Sequence, residues 1–442
     1  MIALFRCGSE RSRIVAKPYF SFYLYLVLFF LLITFLPCFS VFAEENQDVK
    51  NEQLVSSVKF EGLGRTKESY MLSVLGKYVG IPESRIDLHE VKVTLEELEL
   101  FSETEVSLKK DENGATVLFI KVKEKWSFIP VPFFMYSSST GFMGGAFVMD
   151  TNAFGIRDNY VLGGVFSKNI QLALMAYSRP TRDIKHPGFT VGASFTRRDN
   201  EEKDLSGRKI FEYNAIGGSV YAAVSDKITP HSKINAGLRY SYTNAAVKKK
   251  YAEYKEKIKS FHAITPGVGW DISFPSLNEW FMSVKSFSID GGVTLLTSGS
   301  CAESLGLKLS IQHPLPVTRL RVLTQYALYL SNDLPIPLRP SQMVVGTTIM
   351  PDKFHGTKMG GATLGLEAGI LNTKFVMFSA YGLLEQFAGE DSDGSFVMNF
   401  GYSTGLKMYL KKLAVPAIAV GVSHNLMLND IKFSATIGMG GF

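Results

Sequence analysis

Residues Ser395 to Leu410 read SFVMNFGYSTGLKMYL, with large apolar side chains at the even positions Phe396, Met398, Phe400, Tyr402, Leu406, Met408 and Leu410. Small or polar residues, Asn399, Gly401, Ser403, Gly405 and Lys407, fill most of the odd positions. A period of two over sixteen residues is a strand longer than those of most soluble sheets, with one face suited to lipid and the other to water. The same alternation sets Ile234, Ala236, Leu238, Tyr240 and Tyr242 against Lys233, Asn235, Arg239 and Ser241, and Leu320, Val322, Tyr326 and Leu328 against Arg319, Arg321 and Gln325. An aqueous β-sandwich alternates too, but with shorter strands and its polar face outward.

Working outward from this stretch, sixteen strand-like segments lie between Ser127 and Phe442, with a long loop between the eleventh and twelfth. An even number puts both ends of the barrel on one side of the membrane. The expected fold is mainly β, a 16-stranded antiparallel transmembrane β-barrel over residues 127–442.

Composition agrees. The 442 residues are 46% hydrophobic and 12% aromatic, with 39 Gly beside 17 Pro, which excludes a disordered chain and suits strands and tight turns. The basic segment and the apolar run from Tyr19 to Leu36, followed by Val41-Phe42-Ala43, predict a secretory signal peptide over residues 1–43. Its removal takes away Cys7 and Cys38 and leaves only Cys301, so no intramolecular disulfide is expected. Half of the formal charge of +6 belongs to the leader, and nucleic acid is not a suggested partner. Beyond the leader no apolar run is long enough for a membrane-spanning helix, so a membrane crossing has to be a closed barrel.

Residues 54–125 carry a different pattern. Leu54 to Leu63 alternates as a strand. Thr66 is placed as the N-cap of a helix with Tyr70, Leu72, Val74 and Leu75 on its apolar face, and Asp87 as the cap of a second helix. Two strands follow, Thr104 to Lys110 and Ala115 to Lys123, joined by the hairpin signal Asp111-Glu112-Asn113-Gly114. The order strand, helix, helix, strand, strand, with VKFEGLGRT, LELFSETEVSL and TVLFIKVKEK, resembles a POTRA domain, the periplasmic module of the bacterial surface antigen or BamA-like outer-membrane protein assembly family.

The barrel carries further pieces of that resemblance. DTNAFGIRDNYVLGGVFS (Asp150 to Ser167) is similar to the family's first periplasmic turn, and GGATLGLEAGI (Gly360 to Ile370) to the strand after its sixth extracellular loop. GYSTGLKMYLKKLAVPAIAVGVSHN (Gly401 to Asn425) resembles its penultimate strand pair, and FSATIGMGGF (Phe433 to Phe442) its terminal strand. The family's V-R-G-F/Y loop motif has its best counterpart in Val344-Val345-Gly346-Thr347, with Phe354-His355-Gly356-Thr357 as a second alignment, and neither contains Arg. The acid of the family's Asp-Ala-Gly on the next strand is also missing from Ser379-Ala380-Tyr381-Gly382, so the Arg and its carboxylate are expected to have been lost together.

The resemblance implies a bacterial outer-membrane protein whose POTRA-like domain lies in the periplasm. It would insert or translocate β-proteins, with unfolded outer-membrane proteins, periplasmic chaperones, outer-membrane lipid and accessory assembly proteins as partners. A substrate-docking edge is expected at Thr104, Val106 and Leu108, because an edge strand offers unpaired backbone groups to an incoming segment. A lateral seam is expected at Pro130, Pro132 and Phe133 of the first strand and Thr436, Gly438 and Phe442 of the last. Proline cannot donate to a ladder, and glycine weakens one. Glu367 is expected in the lumen as a solvated, pore-lining charge. The dispersed histidines, the absence of a Cys cluster and the lack of a phosphate loop or nucleophile elbow suggest no enzyme, no metal and no cofactor. The alternative reading is a passive pore, a dedicated secretion transporter or a lipid-handling barrel.

Overall fold

The computed structural model describes residues 53–437 apart from 139–140, 182–186, 278–279, 316–317, 341–345, 352, 374, 392–393 and 411–414. The expected leader, Val344 and Val345 of the loop motif, and Gly438 and Phe442 of the expected seam lie outside the described residues.

The described residues open with β1 (Val55–Glu61), α1 (Glu68–Leu75), α2 (Leu88–Glu97), β2 (Phe101–Lys110) and β3 (Thr116–Glu124). They form a sheet in the order β1-β3-β2, with β1 parallel and β2 antiparallel to β3. The helices bury Tyr70, Met71, Leu75, Val91 and Leu95 against Val58, Leu118 and Ile120 of the sheet. Leu72 points outward instead, and Met71 takes the core position. Asp87 caps α2 as expected, accepting from the His89 N–H at 2.8 Å. Thr66 does not cap α1. Lys67 holds that position, and the Thr66 hydroxyl instead accepts from Asn152 Nδ2 at 2.8 Å.

Sixteen antiparallel strands follow: β4 (Phe128–Ser137), β5 (Gly141–Ala153), β6 (Asp158–Ser167), β7 (Ile170–Arg179), β8 (Gly188–Lys203), β9 (Lys209–Thr229), β10 (Ser232–Val247) and β11 (Phe261–Leu277) make the first half. The second half is β12 (Met282–Leu296), β13 (Cys301–Pro314), β14 (Leu320–Ser331), β15 (Lys358–Asn372), β16 (Val376–Glu390), β17 (Phe396–Leu410), β18 (Val415–Asn425) and β19 (Asp430–Ile437). Each pairs with its chain neighbour and β19 pairs with β4, closing the barrel.

In β17, Phe396, Phe400, Tyr402 and Leu406 are exposed on the outer face, and Leu238, Phe195 and Val220 do the same elsewhere. So much exposed apolar surface is stable only against lipid, and a closed sixteen-stranded barrel with such a belt fits the bacterial outer membrane. The inner face departs from the expectation of water contact, since Asn399, Ser403 and Lys407 are at most 5% exposed. The long loop after β14 enters the barrel on the side of Asn399 and Ser403, with Ile349, Met350 and Phe354 packed on Leu205, Ala327, Met359 and Phe387, while Lys407 lies against Glu367 and Tyr381.

Candidate functional site

Backbone parity makes Thr104, Val106 and Leu108 an available edge. In β3 the even residue Thr116 turns its carbonyl toward β1, where the Ser56 hydroxyl donates to it, while Ala115 and Lys125 bond to Asp111 and Leu100 on the β2 side. The β3 residues that bond to β2 are therefore odd, and their partners are Glu105, Ser107 and Lys109. The intervening Thr104, Val106 and Leu108 direct N–H and C=O away from β3, at the edge of the sheet. The side chains of Val106 and Leu108 meanwhile lean on the domain core.

The segment Asp150 to Asp158 forms the joint between this domain and the barrel. Arg65 bridges Asp150 and donates to Ser127 Oγ at 3.0 Å, and the Lys67 N–H donates to the Gly155 carbonyl at 2.8 Å. Arg157 donates to the carbonyls of Leu98 and Glu97 at 3.0 and 2.8 Å, satisfying the C-terminal end of α2. Gly155 has φ +71°, and a Cβ there would sit 2.2 Å from the Arg65 carbonyl oxygen, so only glycine lets the turn seat.

Glu124 shapes the domain side of this joint by accepting the N–H groups of Gly64, Arg65 and Thr66 at 3.1, 2.8 and 2.8 Å. Burial alone would raise its pKa, but the hydrogen bonds from Arg65, Thr66 and Gly64 hold the carboxyl below its usual range. Its contribution is therefore present above the unfolded carboxylate pKa of about 4.3 and lost as pH falls through the lower folded value. Hydrogen-exchange protection of the Arg65 and Thr66 amides should persist near neutrality and fall away below about pH 4; protection independent of pH across that window would contradict this role.

At the junction of the last and first strands, the described residues Ser434, Ala435, Thr436 and Ile437 pair with Ser137, Tyr136, Met135 and Phe134. The Ser138 N–H donates to the Phe433 carbonyl at 3.2 Å, and the Ser127 carbonyl accepts from Thr151 on the β5 side at 3.1 Å. Because the register from Phe128 to Ser137 with β5 is unbroken, even residues of β4 face β19 and odd ones face β5. Pro130 and Pro132 are both even. Each removes a donor from the edge that faces β19 and none from the edge that faces β5.

Gly346 of the loop motif has φ +66°, and a Cβ there would lie 1.5 Å from Gln325 Nε2 on β14. The buried Thr347 follows it. Thr348 then donates its N–H and its hydroxyl to Glu385 on β16, and Ser403 of β17 donates to the same carboxylate. Asn425 Nδ2 donates to the Ile349 carbonyl at 2.8 Å, and Lys432 Nζ to the Met350 carbonyl at 2.7 Å. The loop leaves along β8, with Lys353 on Glu201 at 3.1 Å and His355 on Glu202 at 2.8 Å. The expected joint loss of Arg and acid is thus half corrected: the loop docks without Arg, because a backbone N–H and a hydroxyl suffice for an acid placed at Glu385.

Glu367 faces the lumen as expected, but it is buried rather than solvated. Arg321 Nη2 and Nε donate to it at 2.7 and 3.1 Å. Tyr409 and Ser379 donate to its other oxygen at 2.7 and 2.5 Å. Lys407 lies 3.9 Å away. Arg321 stacks over Phe281 and Lys407 over Tyr381, at 4.4 and 4.8 Å from the ring centres. The correction has a simple cause: the buried ring of Phe281 stacks on Arg321, and Arg321, Tyr409, Ser379 and Lys407 surround the carboxylate.

No protein-family model matches the sequence and no curated protein matches it. Solved structures do. BamA from Haemophilus ducreyi, in a structure lacking POTRA domains 1–3, superposes with a TM-score of 0.56 at 16% identity, covering 88% of this chain and 85% of that one. CdiB from Escherichia coli gives 0.65 at 13% identity over 88% of this chain and 77% of that one. CdiB from Acinetobacter baumannii gives 0.59 at 13% identity over 88% and 74%. The chain is a BamA-like outer-membrane barrel in fold. The likeness first drawn from short scattered segments therefore holds for the architecture as a whole.

Within this BamA-like frame the sequence-derived residues separate into distinct places. Thr104, Val106 and Leu108 share one edge, Pro130, Pro132 and Phe133 lie on the strand that Thr436 closes, and Gly346 and Thr347 press on the inner wall. Sequence reasoning missed Arg65, Arg157, Arg321, Glu385 and Lys432. Arg321 and Glu385 carried a usable signal, being charged residues on the inward face of their strands.

Proposed function

We propose that this protein is an outer-membrane protein assembly factor that acts without chemistry of its own. It captures an extended, unfolded segment on the open edge of β2 and hands it to the junction of β4 and β19, where the segment adds as a strand. The observation that carries the reading is the placement of both prolines on the edge of β4 that turns away from β5 and that, from Phe134 to Ser137, pairs with β19, so that this edge offers fewer donors than the β5 side. Its partners are unfolded outer-membrane proteins, delivered by periplasmic chaperones, and the surrounding lipid. A passive pore or a dedicated secretion transporter would need a path through the lumen past Ile349, Met350 and Phe354, which pack on Ala327, Met359 and Phe387.

The test is depletion of the protein followed by measurement of the outer-membrane proteome. Broad loss of barrel proteins is the expected result, whereas loss of a single exported protein would favour the transporter. The edge has its own test. Val106→Pro removes an outward-facing N–H without touching a bond to β3, so crosslinking of an unfolded client at β2 should drop several-fold while the barrel still closes. Undiminished crosslinking in the folded variant would move docking away from β2.

A further inference from the structure

Strands β8, β9 and β10 run to 16, 21 and 16 residues. Their pairing with the rest of the barrel stops earlier, since β7 reaches only Arg198 of β8 and β11 only Thr243 of β10. The three strands therefore rise above their neighbours as a flap. β4 leaves the α+β domain and successive strands alternate in direction, so the flap stands at the end of the barrel opposite that domain, at the cell surface. We propose that the outer face of this flap binds the phosphorylated saccharide head groups of lipids in the outer leaflet. The proposal does not depend on the junction of β4 and β19.

Strand parity fixes which side chains the outer face carries. Val191, Phe195, Val220, Leu238, Tyr240 and Tyr242 are exposed toward lipid, and the same face continues upward to Arg197, Asp199 and Glu201 of β8, Glu212 of β9 and Lys248 of β10. Cross-strand pairs agree, with Arg197 opposite Ile216, Glu201 opposite Glu212 and Lys203 opposite Lys209. Lys209 and Lys248 each lie 2.7 Å from Glu212, while Lys353, Lys209 and Lys203 lie 3.1, 3.7 and 4.0 Å from Glu201. With Arg197 and Asp199 beneath them, five cations face three carboxylates. Lys209 and Lys248 remain 40% and 43% exposed, and an ammonium has three donors, so both keep donors for a further anion. On the inner face Phe211, Tyr213, Ala215 and Ala245 pack with Ile258 and Ile336, and Tyr254 stacks on Phe211 at 5.1 Å. That packing stiffens the flap and presents its outer face in a fixed shape.

Height selects the ligand. Tyr242 and Tyr240, whose hydroxyl bonds His262 Nδ1 at 2.6 Å, mark the aromatic belt where lipid tails give way to head groups. Arg197 sits one step above Tyr242 in the register. Lys248 lies further up β10, about 20 Å from Tyr242 along the strand and about 15 Å along the membrane normal at a tilt of about 40°. The head-group layer of a glycerophospholipid is only about 5 to 8 Å deep, so it reaches Arg197 and leaves the lysines in water. A saccharide head group carrying several phosphates spans the whole column. Phosphate oxygens are charge-assisted acceptors for Lys and Arg, and the excess of cations over carboxylates sets the sign of the ligand. Because this face continues the apolar belt without a break, the ligand is a lipid seated beside the barrel rather than a free polyanion.

The experiment uses the purified full chain in detergent micelles, with lipid affinity read by native mass spectrometry. Three probes are compared: rough lipopolysaccharide with a phosphorylated core, the same lipid after dephosphorylation, and phosphatidylglycerol. The parent should bind the first about tenfold more tightly than either of the others. Lys209→Gln combined with Lys248→Gln should weaken that binding about tenfold. Glu212→Gln frees both ammonium groups and should tighten it several-fold, a gain that a misfolded variant does not produce. Lys255→Gln makes the same change of charge on the exposed segment Lys249–Lys257, away from this face, and should leave the affinity unchanged. Equal affinity for the three lipids, an equal loss in Lys255→Gln, or a loss in the double variant without the gain in Glu212→Gln would overturn the proposal. A dimer of the parent that the double variant dissolves would also overturn it, because a second copy would then occupy the face.

Discussion

In a Cys301→Ser background, cysteines placed at Met135 and Thr436 should oxidise almost completely to a disulfide and abolish client insertion, with reductant restoring it. The two residues face each other in the register. Met135 is odd, so its own backbone bonds point to β5, and the pair is the non-hydrogen-bonded kind with a Cα separation of about 4.5 Å, inside the range a disulfide spans. Pro130 and Pro132 take two donors, each worth about 1 kcal/mol net, from the edge of β4 that turns away from β5, so a covalent bond between β4 and β19 reinforces an edge that is already weakened. Full insertion activity with the seam demonstrably closed would rule out lateral entry.

The second large effect concerns Glu367. Glu367→Gln leaves the guanidinium of Arg321 and the ammonium of Lys407 buried together with no carboxylate between them, and breaking a buried ion pair in this way costs about 3 to 5 kcal/mol. Arg321→Met should be milder, because Lys407 remains 3.9 Å from the carboxylate and keeps it paired. The midpoint of urea unfolding in lipid should fall in that order. Equal midpoints, or the reverse ranking, would show that the cluster is wet and screened.

What could be read in the sequence divides along a physical line. The alternation in Ser395 to Leu410 was legible because lipid outside and polar groups inside impose opposite demands on successive residues, and those demands are local. The place of Thr104, Val106 and Leu108 on an edge strand was legible from the order of the domain's elements, strand, helix, helix, strand, strand. The bearing of Pro130 and Pro132 on β19 was not, because which neighbour a strand residue faces depends on register with two other strands. Glu367 could be placed in the lumen by its parity, but its partner Arg321 lies 46 positions away and the covering Phe281 further still, so burial was invisible. The docking of the loop left no residue signature, since Thr348 offers a backbone N–H and Ile349 and Met350 offer only carbonyls. The wall side did leave one: inward Glu385, Asn425 and Lys432 sit on strands whose outer faces are apolar.

The central claim is that the domain edge and the barrel seam together speed strand insertion. It is tested most directly by reconstituting the purified full chain in liposomes and following the folding of a urea-denatured outer-membrane barrel protein added from outside. Folding should be faster than in empty liposomes, slow to the empty-liposome rate when the Met135→Cys and Thr436→Cys pair is oxidised, and recover on reduction. A folding rate that is the same in empty liposomes, in oxidised and in reduced samples would contradict the account.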